Sequence, residues 1–392
     1  MTGVAIIGAG PGGLTAALAL ARRGVASTVF EREAHPGLRP RYNPDRSYPI
    51  DITGHGLRAV RHIDALEQFD AHLTRFRGIR YRSRTVDPWR EPGWIGSRGD
   101  ITRALMSVAE ERHGDLIEFV FETEVRDLDV TSGEVAGRRF DLVVGADGAG
   151  SRVREAMREQ VAGFTVETSS VPNFGLVLEL DRVGGRLDKH YLNALSLSPF
   201  TMSGVITDEQ KPDGVRWLAV IGTNRPLAFA SPAQASAWLR RNVPRATDLT
   251  GPQAIADMSR RAAVPLGRRV TCSGLHAGRA VLLGDAAVAF PPIGQGGNAS
   301  MESAVVLDRC LAAGPWDTVG PRYERAWKPQ ADALAWLGWQ IRYQDPMTAV
   351  RAGVATLVGQ NIATRTKSST RSYAEVARAA RRLGPLWARA PR

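Results

Sequence analysis

The stretch Val4-Ala5-Ile6-Ile7-Gly8-Ala9-Gly10-Pro11-Gly12-Gly13-Leu14, followed at position 31 by a glutamate, decides the fold. Residues 4–7 are an apolar run of the kind that forms a buried strand. Residues 8–13 make a glycine-rich turn, and residues 14–23 carry an alanine-rich helical pattern that Gly24 closes. A second short apolar run, residues 27–30, ends on Glu31. Each glycine has a mechanical task in such a unit: Gly8 makes the tight turn, Gly10 lets the backbone approach a pyrophosphate, and Gly13 allows close helix–strand packing. The free N–H groups of the helix start are suited to phosphates. Glu31, at the tip of the second strand, is placed to accept hydrogen bonds from a ribose, and Arg32 beside it joins the cofactor-binding set. A GxGxxG alone is weak evidence, but the flanking strand, helix and acid make this a dinucleotide site.

Working outward, 392 residues exceed one simple core and predict roughly two joined domains. Hydrophobic residues at 43% and charged residues at 23% fit a soluble globular chain. The apolar N-terminal stretch lacks the basic start of a signal peptide, and no apolar run reaches membrane-spanning length, so a cytoplasmic protein without a membrane span is expected. Cys272 and Cys310 are too few and too distant for a disulfide framework, and with scattered histidines they supply no metal site. The net charge of +11 comes from arginine, with lysine only at 189, 211, 328 and 367. These arginines are spread along the chain without a nucleic-acid motif, so no nucleic-acid partner is expected; the basic field favours anionic ligands.

Further along, residues 35–49 are rich in proline and arginine and read as a loop. Residues 53–69 have helical spacing, residues 78–84 alternate as a strand, and residues 98–108 form a helix that Arg98 introduces. Strands are expected at 116–121, 124–129 and 140–144, the last running into a second glycine turn around Asp147. Between about 161 and 270 short strand-like segments predict a mostly antiparallel inserted sheet. A third buried strand, 279–283, leads to Gly284-Asp285, then to Pro291-Pro292-Ile293-Gly294-Gln295-Gly296-Gly297-Asn298 and a helix over 299–311. The small residues Gly294, Gly296 and Gly297 let backbone lie against a flat ring, and the helix starting after Asn298 aims its positive end at that ring. Beyond residue 321 the chain is helical and tryptophan-rich, and from Thr364 it is basic and weakly patterned.

Taken together, residues 8–13 with Glu31, Asp147-Gly148, and Gly284-Asp285 with residues 291–298 resemble the group A flavoprotein aromatic hydroxylases over residues 4–343. The resemblance implies an α/β fold: a Rossmann-like FAD-binding domain, an inserted mostly antiparallel β-sheet substrate domain, and C-terminal helices. The corresponding division is 1–70, 98–160 and 271–325 for the FAD-binding domain, 71–97 and 161–270 for the substrate side, and 326–392 for the helical end. It also implies FAD as resident cofactor, NADPH or NADH as transient co-substrate, molecular oxygen, and hydroxylation of a small electron-rich aromatic through a flavin hydroperoxide. By the same resemblance Arg98 lies by the FAD phosphates, Asp285 holds the ribityl chain, and the Asp147 turn serves both FAD and NAD(P)H.

Within that group the chain is similar to the kynurenine 3-monooxygenase-like members, on Arg46-Ser47-Tyr48, His190-Tyr191-Leu192, residues 294–298 and Pro329. It departs from their pattern at Val288, at Ser303 after Glu302, and at Ile341-Arg342, where an Asn-Tyr pair is usual; these departures weigh against kynurenine as the substrate. Arg75 or Arg77 corresponds to an arginine that pairs with a substrate carboxylate. Trp94, His190, Gln340 and Tyr343 complete the candidate substrate set, each with packing or surface contact as the plainer role. No general base is assigned. The rivals are a flavin-dependent halogenase or reductase of related fold and a non-catalytic FAD-fold escort protein.

Overall fold

A computed structural model describes residues 3–45, 47–340, 354–355, 361–367 and 370–382. The first strand, Val4–Ile7, is fully paired on both sides, in parallel with Ser27–Phe30 and with Leu142–Gly145. Around it the sheet runs in the order His276–Ala277, Ala280–Leu282, Leu142–Gly145, Val4–Ile7, Ser27–Phe30, Ile117–Val120. Only the His276–Ala277 edge is antiparallel. The three glycine-and-acid turns of the sequence therefore leave adjacent strands at the same sheet edge, which is where ligands bind in such folds.

The Pro11–Ala21 helix is buried along its whole length, with no polar face. It is sandwiched between this sheet and the Gly296–Ala312 helix, and the approach is closest at Gly12, where a Cβ would stand 2.3 Å from Ser300 Oγ. Asp308 on the long helix then ties the layers together, accepting from Arg23 and from His62 Nε2 at 2.7 Å.

The second layer is a seven-stranded sheet in the order Val264–Pro265, Phe174–Glu179, Val215–Thr223, Phe200–Thr207, Tyr191–Leu197, Gly78–Tyr81, Arg84–Pro88. It is antiparallel except where Tyr191–Leu197 meets Gly78–Tyr81. Alternating inward residues such as Leu176, Leu178, Ala219 and Ile221 form its own core. A small separate antiparallel sheet, Ile50–Ile52, Trp94–Gly96 and Thr74–Arg75, packs against it, with Ile95 entering the same core. The sheets are linked at the start of the Arg98–Arg112 helix. There Ser97 and Asp100 form a reciprocal capping box, and Asp100 also accepts from the Thr207 amide at 3.2 Å.

Several expectations are corrected. The expected helix over 53–69 is two helices, Gly54–His62 and Leu66–His72, broken where Asp64 takes a left-handed φ of 56°. Of residues 124–129 only Leu128–Asp129 is strand. The inserted region contains the helices Pro232–Asn242, Pro244–Thr247 and Pro252–Ser259, each opened by a proline at its first turn. The 299–311 helix begins earlier, at Gly296. The basic terminal stretch holds the Tyr373–Arg381 helix, started by a Ser372–Glu375 capping box.

Candidate active site

The first glycine turn is locked by sterics. Gly8 has φ of 103°, and a Cβ there would lie 2.7 Å from the Ala146 carbonyl oxygen; one on Gly13 would meet the Gly8 oxygen at 1.9 Å. The loop is thus wedged against the second turn, and neither position admits a side chain. Gly10 faces a different neighbour: its Cβ would stand 3.0 Å from Arg98 Nη2. Arg98, the first residue of its helix, is exposed and leans over the loop whose N–H groups are suited to a pyrophosphate. Glu31 accepts from the Ala9 amide at 2.7 Å and the Glu33 amide at 2.9 Å, which fixes its carboxylate at the tip of its strand. Arg32 next to it is exposed.

Asp147 turns inward. Its Oδ2 accepts from the amides of Arg152 at 2.6 Å and Val153 at 3.3 Å, so it holds the start of the Arg152–Gln160 helix. Its Oδ1 is buried with no hydrogen-bond partner among the described residues. Burial pushes its pKa up against the pull of those hydrogen bonds.

Asp285 is the most informative residue. It is open to solvent, yet enough protein lies around its carboxylate to place it in a cleft. The crowding raises its pKa, and the nearby cations Arg98 and Arg154 pull it back. Tyr48 shares the cleft: its hydroxyl is raised first by the same crowding and then by Asp285, with Arg98 opposing, although the ring is 40% exposed. Arg154 is itself buried and secures the cleft floor, donating to the carbonyls of Ala286 at 2.9 Å and Ala149 at 2.7 Å.

The 294–298 loop presents Gly294 and Gly296 to solvent, while Gln295 and Asn298 are buried. The Asn298 side chain is a clamp: its Nδ2 donates to the Asp51 carbonyl at 2.9 Å, and its Oδ1 accepts from the Thr53 amide at 3.0 Å. Both ends of the amide are thus taken by backbone, which leaves the Asn298 main chain as the part that can face a cofactor. What the loop offers a planar ligand is bare glycine backbone and the first-turn N–H groups of the Gly296–Ala312 helix.

The substrate candidates gather elsewhere. Arg75 pairs with Asp70 and lies 5.4 Å over the Trp94 ring, and Trp94 Nε1 donates to the same carboxylate at 2.7 Å. Trp94 is fully buried and is core, not pocket lining. His190 Nδ1 contacts the Arg75 carbonyl at 2.9 Å. Arg75, Arg77, Trp89, Arg90 and Tyr191 border a cavity of about 740 Å³ that none of the glycine turns lines. Gln340 is buried at its helix end, and Tyr343 falls outside the described residues. Tyr48, Gly12, Gln295 and the C-terminal residues Lys367 and Tyr373 were not singled out by sequence reasoning. For Tyr48 the one available signal is its place in the Arg46-Ser47-Tyr48 landmark.

The three turns at one sheet edge, the cleft-floor carboxylate and the arginine over the glycine loop define a Rossmann-type flavin-binding oxidoreductase, and the residues present fit FAD. Comparison with known proteins extends this. The FAD binding domain family matches residues 54–320, and an NAD(P)-binding Rossmann-like domain matches residues 6–72. The chain belongs to the FAD binding domain family, within which it is a group A flavoprotein hydroxylase of the kynurenine 3-monooxygenase kind. It is 30% identical over 362 residues to kynurenine 3-monooxygenase of Salinispora tropica, covering 85% of this chain and 78% of that one. In fold it is similar to 2-methyl-3-hydroxypyridine-5-carboxylic acid oxygenase, with a TM-score of 0.65 at 20% identity over 96% of each chain. It is likewise similar to Pseudomonas aeruginosa PqsL in complex with 2-aminobenzoylacetate, with a TM-score of 0.66 at 18% identity over 88% of this chain and 97% of that one. The chain is an FAD-dependent monooxygenase that draws on NAD(P)H and molecular oxygen, and the halogenase, reductase and escort readings are set aside. No helix among the described residues is long and apolar enough to cross a membrane.

Proposed function

We propose that this enzyme hydroxylates a small electron-rich aromatic of the indole, aniline or phenol type, working in the cytoplasm. The observation that carries the reading is the arrival of three glycine turns on adjacent strands at one sheet edge, with Arg98 over the first and the exposed Asp285 carboxylate at the third. A carboxylate so placed can accept hydrogen bonds from a ligand's hydroxyls. In this reading Gly10 to Gly13 and Arg98 hold the FAD pyrophosphate, Glu31 the adenosine ribose, and Asp285 the ribityl chain. The Asp147 turn borders both the flavin and the transient nicotinamide.

A bound FAD would supply the redox chemistry, with NAD(P)H giving two electrons, one atom of O2 going to the ring substrate and the other to water. The protein supplies placement and field. The glycines at 294, 296 and 297 let backbone lie against the flavin, and the N-terminal end of the Gly296–Ala312 helix favours negative charge on the ring edge it faces. The relatives that bind or oxidise aminated or hydroxylated aromatics support the substrate class, whereas Val288, Ser303 and the 341–342 positions speak against kynurenine itself. The test measures NADPH and NADH oxidation across indoles, anilines and phenols, with product mass. Gain of one oxygen by a product and faster flavin reduction with that aromatic are expected; if no aromatic does either, the hydroxylase reading is lost.

A further inference from the structure

The C-terminal segment brings a lysine to the back of the flavin-facing loop. Lys367, at the end of the Ile362–Thr366 helix, is 5% exposed. Its Nζ lies 3.6 Å from Asp51 Oδ2 and 3.5 Å from Asp87 Oδ2, and 5.2 Å from the centre of the Phe76 ring. None of its three N–H donors is within hydrogen-bond geometry among the described residues. Asp51 belongs to the small Ile50–Ile52 strand and Asp87 to the edge of the seven-stranded sheet, so one ammonium joins three parts of the molecule. It is also one of only four lysines among 51 basic residues.

The cluster borders the flavin loop. A Cβ on Gly294 would lie 3.7 Å from Asp51 Oδ1, and Asn298 Nδ2 holds the Asp51 carbonyl. The same terminal segment grips the loop a second time. Tyr373 donates its hydroxyl to Gln295 Oε1 at 3.1 Å and stacks on His55 at 3.9 Å between ring centres.

We propose that Lys367 is a positioning residue for the flavin: it fixes the buried Asp51 carboxylate beside Gly294 and sets the charge of the Asp51–Lys367–Asp87 cluster, whose third member is half-buried, thereby tuning the flavin's reduction potential. This rests on the FAD reading above. Two carboxylates and one ammonium carry a formal charge of minus one in a water-poor site, where charges act over longer range than in solvent. Reduction adds negative charge to the flavin ring, so a more negative cluster opposes it and a less negative one favours it.

The test is a spectroelectrochemical titration of the FAD-loaded full chain. Lys367→Met takes the formal charge to minus two and is expected to shift the midpoint potential downward. Asp87→Asn takes it to zero and is expected to shift it upward, and Lys367→Arg keeps the wild-type value. Should Lys367→Met fail to fold because it leaves two carboxylates without their cation, the upward shift in Asp87→Asn with no shift in Lys367→Arg still carries the proposal. Shifts of the same sign in the charge-changing variants, or unchanged potentials with FAD retained, overturn it while leaving the hydroxylase reading intact. A wild-type chain that binds no FAD overturns both.

Discussion

Arg98 Nη2 lies where a Cβ of Gly10 would come within 3.0 Å, so the guanidinium and the bare backbone of the glycine turn form one surface. Neither residue alone makes a phosphate site: the turn supplies directed N–H groups, and the arginine supplies charge. Arg98→Ala is therefore expected to weaken FAD binding by about 10- to 100-fold, on the scale of about 1.5–3 kcal/mol for a hydrogen bond to a charged group. Flavin fluorescence titration of the apoprotein measures it. Gly10→Ala should weaken binding as well while leaving the fold intact, because the far end of a flexible side chain can yield. An Arg98→Ala protein with wild-type FAD affinity would remove Arg98 from the cofactor site.

Asp285 makes a prediction with opposite signs in two states. Crowding raises its pKa, with Arg98 and Arg154 only partly offsetting, which means the ionised form is disfavoured in the empty cleft. Asp285→Asn should leave the apoprotein as stable as wild type or more so, and should weaken FAD retention. Thermal melts with and without FAD separate the two effects. A variant that loses apoprotein stability and keeps FAD would show the carboxylate to be structural.

The sequence made the cofactor half of this site legible because its chemistry is backbone chemistry. Gly8, Gly10 and Gly13 are visible by spacing alone, and Gly8 and Gly13 meet the steric condition that spacing implies. Asp285 was visible because it ends a buried apolar run. The substrate half was not legible, since Arg75, Trp94 and His190 acquire partners only through tertiary structure: Asp70 on the Leu66–His72 helix takes the first two, and the Arg75 carbonyl the third. The terminal strap escaped for another reason. Lys367 lies in a stretch with no apolar periodicity over residues 364–372 and Tyr373 just beyond it, and their partners at positions 51, 87, 295 and 55 are far off in the chain, the nearest of them 78 residues away. For Asn298 the sequence showed a place in the glycine loop but not the side-chain clamp onto Asp51 and Thr53, whose partners lie some 245 residues away.

The Arg75–Asp70–Trp94 cluster predicts that one substitution is mild and another is not. Arg75 and Asp70 are both more than a third exposed, so Arg75→Ala is expected to cost less than about 1 kcal/mol in denaturant unfolding. Trp94 is fully buried and packs at 5.2 Å against Phe69, so Trp94→Ala should cost about 3–5 kcal/mol. If Arg75→Ala instead raises KM for carboxylate-bearing aromatics tenfold or more with stability unchanged, the arginine returns to the substrate site.

His55 gives the protein a defined acid weakness. The ring is buried against Tyr373, and burial lowers its pKa from 6.5 to about 3, reinforced by Arg58, with a backbone hydrogen bond opposing. Above pH 6.5 both folded and unfolded chains hold it neutral, so it contributes no pH dependence. Between pH 6.5 and about 3 the unfolded imidazole takes a proton that the folded one refuses, and stability falls by about 1.4 kcal/mol per pH unit. His55→Phe keeps a ring against Tyr373 and removes the titration, so its unfolding free energy should decline less steeply than wild type from pH 6.5 to 4. Because Tyr373 also holds Gln295 in the flavin-facing loop, FAD should dissociate faster from the wild type than from the variant over the same range. Parallel pH profiles for the two proteins would mean that the buried ring is protonated in the fold and that its stacking on Tyr373 survives the charge.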